Sequence, residues 1–80
     1  MDKFNWTAPE NSHISLLKVV KVSRAGGDKF YIEGCCDSDD VENLPGGDDN
    51  VCSGSNMIVA DDSKVVVYSE KNEAWGDWGD

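Results

Sequence analysis

Apolar and polar positions alternate most cleanly between Gly54 and Ser69. Met57, Val59, Val65 and Val67 fall on one phase of a two-residue period, and Asn56, Ile58, Ala60, Val66 and Tyr68 on the other. Asp61-Asp62-Ser63 lies between the two runs, and such short polar side chains bond nearby backbone amides in turns. A period of two with a polar turn predicts an antiparallel hairpin. The run Val65-Val66-Val67 is β-branched, which disfavours a helix there.

Ile14 to Val22 is the other strong apolar run. Ile14, Leu17, Lys18 and Lys21 have helical spacing, whereas Leu16, Val20 and Val22 alternate. Val19, Val20 and Val22 crowd three valines into four residues, which a pleated surface accommodates better. Ser23 to Asp28 then supplies a flexible loop before Lys29-Phe30-Tyr31-Ile32-Glu33, whose Phe30 and Ile32 can face inward. A second hairpin follows from this pattern.

Three stretches lack such a period. Residues 1–13 place Phe4 and Trp6 among Pro9, Asn11 and Ser12 and read as an extended arm. Residues 34–53 carry six Asp/Glu, no Lys or Arg, and Val41, Leu44 and Val51 as apolar anchors. They read as a long acidic loop, either mobile or held by a partner. Glu70 to Glu73 reads as a turn, and one of Trp75 and Trp78 is expected to cap the hairpin core. The predicted fold is all-β: a small antiparallel sheet of two hairpins, with the arm at 1–13 and one domain over 14–80 that includes the acidic loop.

Composition narrows the function. An 80-residue chain with 8 glycines can build only a thin core, so stability gained by packing on copies of itself or on a larger assembly is expected. The net charge of -9 is uneven: residues 1–32 hold five Lys/Arg against three Asp/Glu, and residues 33–80 hold two against thirteen. The acidic part repels nucleic acid and anionic membrane and suits a basic protein surface. No run approaches a membrane span, since Lys18 and Lys21 interrupt the longest candidate. The N-terminal residues show no apolar secretory run, so synthesis in a reducing cytoplasm is expected.

The candidate chemistry is thin. Asp37, Asp39 and Asp48 fit positions one, three and twelve of a calcium loop, but Val41 stands at five, Glu42 replaces the turn glycine and Asp48 is short for the bidentate ligand. Cys35, Cys36, Cys52 and His13 could supply four zinc ligands by count, but adjacent cysteines do not share one tetrahedral ion comfortably and no C-x-x-C spacing is present. A link from Cys35 or Cys36 to Cys52 would close the acidic loop. His13 is the sole histidine, and no nucleophile motif or phosphate loop accompanies it. Neither an enzyme nor a cofactor is expected.

Gly54-Ser55, an apolar strand, Asp61-Asp62-Ser63, a strand ending in Tyr68, then Trp75 and Trp78-Gly79 together resemble small proteins encoded among the structural genes of tailed bacteriophages. In those a Gly-Ser start, an Asp-Thr-Gly-like turn, an aromatic strand end and a terminal W-x-x-W-G recur. The resemblance covers about residues 29–80, with Phe30-Tyr31-Ile32-Glu33-Gly34 loosely similar as a first strand; the chain departs from it in having no glycine in the turn. It implies a virion component made in the host cytoplasm, a multi-copy capsid decoration or head or tail accessory protein without catalytic residues. Phe4, Trp6, Tyr68, Trp75 and Trp78 are the expected partner-binding residues, because aromatic side chains dominate interface energetics. The alternative is an acidic mimic of nucleic acid that inhibits a host defence protein. It is motivated by the eight carboxylates between Asp37 and Asp62.

Overall fold

A computed structural model describes residues 4–78. The strands it describes are β1 (Ser15–Val22), β2 (Lys29–Cys36), β3 (Asn56–Val59), β4 (Lys64–Ser69) and β5 (Ala74–Asp77). They form one sheet in the order β1-β2-β3-β4-β5. β1 with β2, β3 with β4, and β4 with β5 are antiparallel. Both predicted hairpins are present within this sheet.

The expectation of a purely antiparallel sheet is corrected by β2 and β3, which pair in parallel from Glu33 with Asn56 to Cys36 with Val59. Parallel neighbours need a crossover of a dozen or more residues, and residues 37–55 are that crossover. Gly34, Cys35 and Cys36, expected in the acidic loop, belong to β2. The rest of the stretch is shaped by 3₁₀ turns at Ser38–Asn43 and Gly47–Asp49. Its length serves topology: the chain must return to the starting end of β2 before it can run parallel to it. Val51 bridges Phe30 on the way, with Phe30 N–H donating to Asn50 O and Cys52 N–H to Phe30 O, each at 2.8 Å.

Ala74–Asp77, expected only to close the chain, is a fifth strand. Its sequence, Ala-Trp-Gly-Asp, has no β-branched residue, so pairing with β4 makes it a strand where intrinsic preference would not. Lys64 Nζ, 3.2 Å from Asp77 Oδ1, ties the two strands at one end.

The sheet is covered on one side only. Phe30, Ile32 and Cys36 of β2, Met57 and Val59 of β3, and Val66 and Tyr68 of β4 are buried. Leu44 and Val51 of the crossover pack into them, with Phe4, Ile14 and Val41 at the margins. The apolar anchors of the acidic stretch therefore form the second layer of the core. Ser55, fully buried, joins the layers by donating to Cys52 O at 2.8 Å while accepting from Ile32 N–H at 3.0 Å. The expected grouping of Val65 and Val67 with Met57 and Val59 is corrected by register: Met57 lies opposite Val66, and directly opposed residues share a face.

Candidate protein-binding face

Side chains alternate across a sheet, so the residues between the core positions point to the other side. Cys35 lies beside Ile58, and Ile58 beside Val65. One position beyond the Val66 and Asp77 pair, Trp78 N–H donates to Val65 O at 2.9 Å. Cys35, Ile58, Val65 and Trp78 thus make one row across the uncovered face. Ile58 is 52 % exposed and Trp78 71 %. Val67 extends the apolar surface into the next row, whose other members are Lys18, Glu33 and Asn56, and Val20 lies one row further on, opposite Tyr31. Leu17, Val19 and Val20 are also exposed along the edge strand β1.

The polar residues Lys18, Glu33 and Asn56 separate Val20 from the apolar row. The Tyr31 hydroxyl donates to Glu33 Oε2 and accepts from Asn56 Nδ2. The bond to Glu33, more than burial, raises the phenol above its ordinary pKa. Strands that carry β-branched residues on both faces usually meet protein on both sides. That feature of the sequence could have drawn attention to Ile58 and Val65, which were not singled out.

The five expected binding residues occupy different environments. Phe4 is half-buried, with ring centroids 5.5 Å from Phe30 and 6.4 Å from Trp6, so Phe4 tucks onto the protein's own core with Trp6 beside it. Tyr68 is buried, and Trp75 packs on it at 5.5 Å while its Nε1–H donates to Pro45 O at 2.8 Å. Trp75 caps the core; Trp78 stands out from it. The five do not converge on one surface. Gly79, which completes the terminal motif, lies outside the described residues, as do residues 1–3 of the arm.

Several acidic groups are engaged within the protein. Asp61 accepts from Ser38 N–H at 2.7 Å and Ser38 Oγ–H at 2.8 Å, and these bonds hold its carboxyl below the ordinary range. Asp49 accepts from Gly46 N–H at 3.1 Å. Glu70 accepts from Ser53 N–H at 2.8 Å, the main cause of its lowered pKa, and pairs with Arg24 at 3.1 Å. Buried Asp40 accepts from His13 N–H at 2.9 Å, fixing the arm to the crossover.

Among the described residues, one group of three metal-ligating side chains converges: His13, Asp37 and Asp40, within 4.8 Å of one another. His13 Nδ1 is 3.0 Å from Asp37 Oδ2, and Asp40 serves the backbone, which gives each member a partner inside the protein. Asp37, Asp39 and Asp48 do not gather as a ligand set. Cys35, Cys36 and Cys52 are free thiols. Burial, reinforced by Asp40, pushes the Cys36 thiol up to about 11, which leaves it protonated and unreactive at neutral pH.

Comparison with protein families, curated proteins and solved structures finds no match to this chain.

Proposed function

We propose that the chain is a non-enzymatic structural protein of a bacteriophage virion, a multi-copy decoration or accessory protein that docks on a larger shell through its uncovered sheet face. The apolar row Ile58, Val65 and Trp78 is the observation that carries the docking part. Arm and crossover both cover the opposite side, leaving this face for a partner, and tryptophan is among the residues enriched at interface hot spots. The phage assignment rests on the resemblance over about residues 29–80. The nucleic-acid mimic draws less support, because Asp37, Asp40, Asp49 and Asp61 bond neighbouring groups of the protein rather than lining up towards solvent.

The test is the abundance of the chain in purified virions when Ile58→Ser and Trp78→Ala are combined. Both side chains are mostly solvent-exposed, so the purified variant should unfold at nearly the wild-type denaturant concentration. Occupancy is expected to fall by about tenfold or more, the effect of losing roughly 1.4 kcal/mol of binding. Full occupancy with both residues changed would sink the reading.

A further inference from the structure

The sheet ends in two edges of different character. β1 and β5 stand at its ends, with no further strand beside either among the described residues. Six of the eight residues of β1 and three of the four of β5 are exposed. On β1 these include Val19 and Val20, at 44 % and 42 %. An edge strand offers its outward N–H and C=O groups as a template for another strand.

The hydrogen-bond phase of each edge follows from its neighbour. Phe30 N–H and C=O turn to Asn50 and Cys52, and Ile32 N–H turns to Ser55 Oγ, all on the side of β2 away from β1. Bonding direction alternates along an antiparallel strand, so Lys29 and Tyr31 bond β1. Their opposite residues Val22 and Val20 turn to β2, and the backbone of Val19 and of Lys21 faces outward. On β5, Trp78 N–H bonds Val65 O, so Gly76 also turns to β4 and Trp75 and Asp77 face outward. Val19 and Lys21 lie opposite Ile32 and Phe30, and Trp75 and Asp77 opposite Tyr68 and Val66. Those four partners are all buried, so on both edges the outward-bonding residues carry their side chains on the covered face. β1 and β4 run one way and β2, β3 and β5 the other. A second copy placed edge to edge with the same face up therefore brings β1 antiparallel to β5 with both phases matched.

Charge selects this pairing. β1 carries Lys18 and Lys21, whereas β5 carries Asp77 and is preceded by Glu73. Two β1 edges, or two β5 edges, would bring like charges together, which is unfavourable across a strand pair. Lys21 already stands 3.8 Å from Asp28 and Asp77 3.2 Å from Lys64, so the attraction between copies acts mainly on orientation and register. Shape agrees with charge: a Cβ at Gly76 would meet nothing within 4 Å, which leaves room beside Trp78 for a side chain from another strand.

We propose that copies of this chain join head to tail, β1 of one adding to β5 of the next, with Val20 opposite Gly76, Val19 opposite Asp77 and Lys21 opposite Trp75. Glu73 and Asp77 are then the diagonal neighbours of Lys21, within reach of a long side chain. The pairing spans Lys18 to Val22, so Leu17, at the irregularity between Leu16 and Lys18, stays outside it. The sheets become continuous, and the uncovered faces of successive copies lie on one side. This deepens the docking reading and rests on its premise of many copies, which gain a common face to present to the shell. Such a head-to-tail contact closes into a ring or continues as a filament.

Sedimentation velocity of the full-length chain over a concentration series, under reducing conditions, tests this. Val19→Pro blocks the β1 edge and Asp77→Pro the β5 edge; each removes an outward N–H and no bond to the neighbouring strand, a place where proline is tolerated. The wild type is expected to grow in size with concentration, less so in high salt. Each proline variant alone should associate about tenfold more weakly or worse, because every contact uses both edges. An equimolar mixture of the two should recover a heterodimer and stop there. Lys21→Glu, a change on an exposed side chain that threatens the fold less, should also weaken association about tenfold. A wild type that stays monomeric at every concentration, or unchanged association in Lys21→Glu, overturns the proposal. So does continued dimerisation of Asp77→Pro alone, which would mean β1 with β1, or of Val19→Pro alone, which would mean β5 with β5 or another surface. These failures leave the uncovered-face reading standing, since that is read from virion occupancy of the Ile58 and Trp78 variants.

Discussion

Single residues decide where this thin protein can tolerate change. Gly34 lies opposite Leu16 next to the irregularity between Leu16 and Lys18 in β1, and a Cβ there would collide with the Ser15 carbonyl oxygen. The obstacle is backbone, so no rotamer relieves it. Gly34→Ala is expected to destabilise the chain by about 3 kcal/mol, the upper end of overpacking costs, with β1 the element that loosens. Urea unfolding with amide exchange checks this; a wild-type midpoint with β1 still protected would contradict the packing described. Ser63 is the opposite case. It holds the left-handed conformation, φ 50° and ψ 43°, at the end of the turn between β3 and β4, where a side chain costs about 1–2 kcal/mol.

Among the elements, the crossover is held by hydrogen bonds from side chains as well as by the apolar contacts of Leu44 and Val51. Asp61, in the turn between β3 and β4, grips Ser38 at the start of the first 3₁₀ turn through two hydrogen bonds. Because those bonds lower its folded pKa below the ordinary 3.8, the contribution is complete above that value and is lost as pH falls through the folded pKa. Asp61→Ala should therefore destabilise the protein at neutral pH and differ little from wild type in acid well below 3.8. Denaturant midpoints at the two pH values check the sign; an equal penalty at both would mean that the charged form is not what the fold uses. The strands themselves were legible in part because alternation and polar turns are local signals: Lys29–Glu33, the first part of β2, and Lys64–Ser69 could be read from Phe30, Ile32 and the valine run. The parallel pairing was not legible, since residues 37–55 look like solvated acid until Leu44 and Val51 are seen under the sheet. β5 escaped notice because its strand character comes from its neighbour. Trp78 stood out by size alone, whereas Ile58 and Val65 could be placed on the open face only once the Met57 and Val66 register was known.

The whole molecule measures 37 × 30 × 18 Å, a slab of one sheet and one irregular layer. No helix among its described residues is long and apolar enough to cross a membrane. The arm and the crossover compete for one side, and the opposite side keeps its isoleucine, valines and tryptophan in solvent. Such an arrangement leaves a folded chain with apolar side chains exposed on the uncovered face. Hydroxyl-radical footprinting of the free chain and of the chain in its assembled particle addresses this most directly. Ile58 and Trp78 are expected to lose most of their reactivity on assembly, while exposed Leu17 on the β1 edge serves as a surface reference and buried Met57 stays protected in both states. Equal modification of Ile58 and Trp78 in the two states would contradict the assignment of the open sheet face as the docking surface.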